Sequence, residues 1–171
     1  MKTPFWTKEK KRNWLARGLI GLVFFFNVQC ALAFLANPGA FTPSFELGGA
    51  AGDGMIRGMG LLFLMWNVPY AVALWNPGQN RRSLVEALVM QAIGVVGESL
   101  LLLTFPAGHP LVRASVERFI VFDGGGLALL LAAFISLGSV YTPGWTNTPE
   151  QRSKPSSNQS DHPEKRDQDP A

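Results

Sequence analysis

The sequence predicts an all-α integral membrane protein, a four-helix bundle. Three observations carry this. Four long apolar stretches fill most of the first 140 residues, each stretch is followed by a proline–glycine stop signal, and lysine and arginine collect at alternating ends. The chain has 171 residues, enough for one domain. Charged residues make up only 16% of it, against about 25% in soluble proteins. The expected organisation is a basic amino-terminal segment at 1–13, a membrane domain at 14–140 and a polar tail at 141–171.

The spans read as 14–36, 56–75, 83–105 and 119–140. Each is long enough to cross about 30 Å of hydrocarbon at 1.5 Å per residue. The first closes on Asn37-Pro38-Gly39, the second on Asn76-Pro77-Gly78, the third on Pro106-Ala107-Gly108 and the fourth on Pro143-Gly144. Proline cannot continue a helix and glycine accepts the turn. A basic start followed by an apolar run and Ala31-Leu32-Ala33 also has the form of a cleaved signal peptide. That run is longer than a signal core and is broken by Asn27 and Gln29, so it reads as a retained span.

Lys2, Lys8, Lys10, Lys11 and Arg12 precede the first span, and Arg81 and Arg82 lie in the second loop. The first loop carries Glu46 and Asp53 and no base. The positive-inside rule then puts both termini in the cytoplasm, and the expected location is a bacterial inner membrane. Trp14, Trp75, Tyr141 and Trp145 fall at the cytoplasmic ends, as interfacial aromatics do. The tail at 141–171 is rich in Pro, Ser, Asn, Gln and Asp and has too little apolar surface to fold. Glycine-rich Gly48–Gly54 reads as a flexible outer loop. Glu86, one turn from Arg82, is expected to form an interfacial ion pair with Arg82 or Arg17.

Ionisable groups inside the spans are costly and must find partners or a task. Glu98 and Asp123 should both fall in the outer half. Arg57 opens the second span at that side, with Arg113 and Arg118 above. One expectation is an ion-paired lock in which Arg57 or Arg118 neutralises the two acids. The other is a polar pocket for a small anionic or quinone-like ligand, or a proton relay. Ala87, Gln91, Gly94 and Glu98 share one face of the third span. Asn27, Asn67 and Gln91 lie at similar depth and are expected to hydrogen-bond to one another. Pro69 should kink the second span beside Asn67, and Trp66 either packs in the bundle or lines a cavity. Gly124, Ala128, Ala132 and Ser136 recur every four residues, a small-residue ridge for helix packing.

Several chemistries are absent from the sequence. Its single cysteine, Cys30, allows neither an internal disulfide nor a C-x-x-C redox pair. Two histidines, His109 in a loop and His162 in the tail, cannot ligate an intramembrane haem or build the usual zinc site. No phosphate-binding loop, dinucleotide fingerprint or nucleophile elbow occurs. No catalytic residue, cofactor or metal is therefore assigned. The basic amino terminus abuts a span and suits anionic lipid, not nucleic acid.

Two segments, Ile56-Arg57-Gly58-Met59-Gly60-Leu61-Leu62 and Gly94-Val95-Val96-Gly97-Glu98, resemble the DoxX-like group of small four-helix bacterial membrane proteins. The resemblance implies a four-helix membrane bundle. It also implies a link to quinone-dependent oxidation, with the redox centre held by a partner. The expected function is binding of a small, lipid-like or quinone-like ligand in the outer half of the bundle. Arg57, Glu98, Asp123, Arg118, Asn67 and Gln91 are the candidate contacts. The alternatives are a non-catalytic accessory subunit of a membrane complex and a proton-coupled transporter acting as a dimer. Expected partners are the bilayer and a second membrane protein or copy of the chain.

Overall fold

The computed structural model describes residues 5–138, so the expectations for the tail lie outside the described residues. Four helices form in order: α1 (Phe5–Ala36), α2 (Gly49–Trp75), α3 (Arg81–Thr104) and α4 (Pro110–Leu137). All four are long and apolar enough to cross a membrane. Two short 3-10 turns, Pro38–Ala40 and Thr42–Phe45, join α1 to α2.

The helices form a closed ring. Each packs on its two neighbours, α1 on α2, α2 on α3, α3 on α4 and α4 on α1, while the backbones of the diagonal pairs stay apart. This up-and-down order follows from the short connections, which allow only antiparallel neighbours. Ala16, Ile20 and Val23 of α1, Tyr70 and Ala73 of α2, Leu84 and Ala87 of α3, and Leu130 and Ala133 of α4 are buried together in one half of the ring. Elsewhere the outward faces are apolar: Trp14, Phe25, Met65, Ile93, Val121 and Ile135 are all exposed, the pattern of a surface solvated by lipid.

Helix boundaries depart from the sequence reading in a consistent direction: α2 and α4 start earlier. The glycine-rich stretch is not a loop; Gly48 is the N-cap and α2 begins at Gly49. Glycine's poor helix propensity is overridden there by packing, because a Cβ at Gly52 would already lie 3.0 Å from Leu47 Cβ. Helix α4 opens at Pro110, where the missing N–H costs nothing. Arg113, Glu117 and Arg118 are thus helical, and Asp123 stands at the middle of α4 and not near its start. Helix α1 also reaches back through the basic segment, with Lys8, Lys10 and Lys11 exposed.

At one end of the ring, arginines close the helix termini. Arg17 donates to the carbonyls of Leu74 and Trp75, the last residues of α2. Arg12 donates to Ser136 O and Arg81 to Gly138 O, at the end of α4. The last carbonyls of a helix have no internal partner and carry the negative end of its dipole, so cations suit them. Arg17 is therefore engaged by backbone, and exposed Glu86 has no ion pair among the described residues. The expected interfacial pair does not form.

At the other end, Glu46 ties the 3-10 segment to α4. It adopts a left-handed conformation, φ 55°. Its carboxylate accepts from His109 Nδ1 at 2.6 Å and from the Leu111 amide at 3.0 Å. Ser115 Oγ adds a bond to Ser44 O at 2.6 Å. Its carboxyl is held below the ordinary 4.5, first by the hydrogen bond from His109, then by backbone N–H groups of Leu111 and Val112, against some desolvation. A lowered folded value means the clasp contributes fully above the ordinary value and is lost as pH falls through the lowered one. Amide exchange over residues 38–47, taken relative to each amide's intrinsic rate at that pH, should accelerate as pH drops below 4.5. Glu46→Gln should bring the faster exchange to neutral pH; unchanged exchange in the variant would dismiss the clasp.

Candidate functional site

The inner face of α2 is set by Gly52, Ile56, Gly60, Asn67, Tyr70 and Ala73, which are buried at helical spacing. That of α3 is Leu84, Ala87, Gln91 and Gly94, with half-buried Glu98 one turn on. The predicted polar stripe of α3 thus faces inward. On α4 the buried positions are Ser115, Val116, Gly126, Leu130 and Ala133, and Asp123 lies on the same face.

Two glycines let α3 and α4 interlock. The Asp123 carboxylate sits against Gly94, where a Cβ would collide with Oδ2. The Gln91 amide sits against Gly126, where a Cβ would lie 2.7 Å from Nε2. From that position Gln91 Nε2 donates to Asp123 Oδ1 at 2.9 Å and to Asp123 O at 3.2 Å. Tyr70 donates its hydroxyl to Gln91 Oε1. A hydrogen-bonded chain Tyr70–Gln91–Asp123 therefore crosses from α2 through α3 to α4 near mid-height. The small-residue ridge expected on α4 is not the packing seam. Ala128 and Ala132 are exposed, and nothing lies within 4 Å of a Cβ on Gly124 or Gly125. The inward pull of Asp123 rotates that ridge away.

Beside the chain opens a cleft of about 460 Å³, including the part open to the surroundings. Helix α1 contributes Asn27 and Cys30; α2 contributes Phe63, Trp66, Asn67 and Tyr70. Helix α3 contributes Met90, Gln91 and Glu98, and α4 contributes Phe119, Phe122 and Asp123. Gln29, the other polar residue of that stretch of α1, faces outward. Phe63 and Phe119 also belong to an aromatic cluster with Phe34 and Phe45, ring centroids 5.8 to 6.4 Å apart, between the cleft and the 3-10 segment. Trp66, 43% exposed, stands at the cleft's rim, so it lines the cavity and does not pack in the core.

Two polar atoms of the cleft have no partner. Asn67 is 4% exposed and donates Nδ2 to Phe63 O at 2.6 Å, which fixes the amide's orientation. Its Oδ1 is left buried and unbonded, as is Glu98 Oε2. Buried polar atoms are nearly always satisfied, and each one left open costs about 1–3 kcal/mol. Both belong to residues that line the same cavity.

Of the six candidate contacts, the structure brings together Asn67, Gln91, Glu98 and Asp123. It does not bring in Arg57 or Arg118. Arg57 is exposed, one residue past buried Ile56 and so about 100° off the inner face of α2. Arg118 is exposed and bonds Ala114 O and Ser115 Oγ on its own helix. The expected ion-paired lock is absent: among the described residues the one ion pair is Glu46–His109. Nor do Asn27, Asn67 and Gln91 bond to one another, because Gln91 is taken by Tyr70 and Asp123 and Asn67 by its own helix. The polar centre also lies near mid-height, not wholly in one half, since Gln91 and Asp123 sit at the middles of α3 and α4. Sequence reasoning gave no role to Tyr70 and Cys30. Spacing was the available signal, because Tyr70 follows Asn67 by three residues and Cys30 follows Asn27 by three. Comparison with family models, characterised proteins and solved structures finds no match to this chain.

Proposed function

We propose that this protein is a multi-pass inner-membrane protein that binds a small molecule with a polar head and an apolar body in its intramembrane cleft. Asn67, Glu98 and Asp123 receive the head; Phe63, Trp66 and Phe119 hold the body. The observation that carries this reading is the pair of unbonded buried atoms, Asn67 Oδ1 and Glu98 Oε2, on two residues of one cavity lining. Tyr70, Gln91 and Asp123, by contrast, satisfy one another. The mostly apolar lining with a few converging polar groups is the kind of surface that small ligands use. The basic residues of α1 and the α2–α3 connection support a cytoplasmic position for the arginine-capped end.

Glu98→Gln separates this role from a structural one. The amide keeps the carboxylate's shape, and Glu98 has no ion pair to lose among the described residues. Expression and detergent stability of the variant should stay near wild type, while the small molecule copurifying with the wild type is lost. A collapse in expression would make Glu98 an anchor of the bundle and overturn the assignment.

A further inference from the structure

Resting on the binding reading above, we infer that the ligand's head is cationic: the cleft is a site for a lipophilic organic ammonium ion. Charge is the first argument. Glu98 and Asp123 both line the cleft, and among the described residues no lysine, arginine or histidine does. Asp123 packs on Gly94, and Glu98 is one helical turn further along α3, about 6 Å of rise away. Two carboxyl groups this close in a low-dielectric interior either hold protons or take a positive partner, and among the described residues no group in the cleft supplies that charge. The occupant is the remaining source.

Hydrogen-bond polarity is the second, independent argument. Asn67 is almost fully buried, and its Nδ2 is committed to Phe63 O. The atom it leaves unbonded is the amide oxygen, an acceptor at any pH. A ligand must therefore donate there. An ammonium N–H or a polarised N–CH3 group does so, whereas a quinone carbonyl or an anion would set acceptor against acceptor.

The aromatic walls are the third argument. Phe63, Trp66, Tyr70, Phe119 and Phe122 ring the space beside the acids. Aromatic faces attract cations, tryptophan most strongly, and the effect grows when water is excluded. Acid, amide oxygen and aromatic faces together describe a cage for a substituted ammonium, with an apolar body lying among the rings.

The test uses the full-length protein in an uncharged detergent. Benzyltrimethylammonium, its uncharged isostere neopentylbenzene and a short-chain benzoquinone are titrated separately, read by tryptophan emission, with Trp66→Phe identifying the cleft's contribution. The ammonium should bind at least about tenfold more tightly than either neutral probe. That preference should fall about tenfold or more in Glu98→Gln and in Asp123→Asn. Equal or tighter binding of neopentylbenzene or the quinone would overturn the cationic assignment and leave a neutral-ligand cleft standing. A charge preference unchanged in both variants would also overturn it, by placing the cation elsewhere. If none of the three probes changes Trp66 emission, the binding reading itself falls.

Discussion

Gly60→Ala is expected to destabilise the bundle by about 1–3 kcal/mol, the cost of overpacking a tight seam. The added Cβ would lie 2.8 Å from the backbone carbonyl of Ala31, 3.0 Å from Phe34 Cβ and 3.1 Å from Leu35 Cγ. Backbone cannot rotate away as a side chain can, so α1 and α2 must separate. Without a hydrophobic drive between helices in lipid, such close approach is what holds neighbouring helices together. Gly58 supplies the control. It is on the same helix, two residues earlier, and nothing lies within 4 Å of its Cβ position. Gly58→Ala should be neutral or should stabilise the protein by up to about 1 kcal/mol through helix propensity. Unfolding in mixed micelles, read by circular dichroism, distinguishes the two. Equal effects from both variants would remove Gly60 from the seam.

Gln91→Leu should produce the other large loss. Leucine fills a similar volume but bonds nothing. Asp123 Oδ1 then loses its donor in a buried site, and Tyr70 keeps only its weaker bond to Ala87 O at 3.3 Å. The expected cost is about 1–3 kcal/mol. Single hydrogen bonds between membrane helices average nearer 0.6 kcal/mol, so Tyr70→Phe, which removes one link and leaves the Gln91–Asp123 bond, should cost about that much. The ordering Gln91→Leu well above Tyr70→Phe is the signature of a bridge shared by three helices. Equal losses would mean that Gln91 serves only one neighbour. Gly126→Ala should act in the same direction, because its Cβ would push the Gln91 amide off its seat.

The four helices and their antiparallel order were legible because length and apolarity in this chain leave no other fold. The inward face of α3 was legible too, since Ala87, Gln91, Gly94 and Glu98 keep helical spacing and two of them are polar. The arginines were harder. Arg57 and Arg118 lie beside Ile56 and Phe119 in sequence, but one helical step turns them outward. Their charge suggested partners for the acids; the position of the faces denied it. The α4 ridge failed for a related reason. The expected stripe through Gly124 and Ala128 and the inward one through Asp123 and Gly126 differ by a single residue. Only the helix opposite, α3, which supplies Gln91 and Gly94, decides between them. The starts of α2 and α4 were hidden by glycines and charges that propensity and hydropathy both penalise, and that local packing and a first-turn proline accommodate.

Native mass spectrometry of the full-length protein released from mild detergent tests the binding role most directly. A discrete small-molecule adduct should accompany the wild-type chain and be absent from Glu98→Gln and from Asn67→Leu, which removes the unbonded amide oxygen. A bare wild-type chain, or an adduct that both variants retain, would contradict a ligand seated on Asn67 and Glu98.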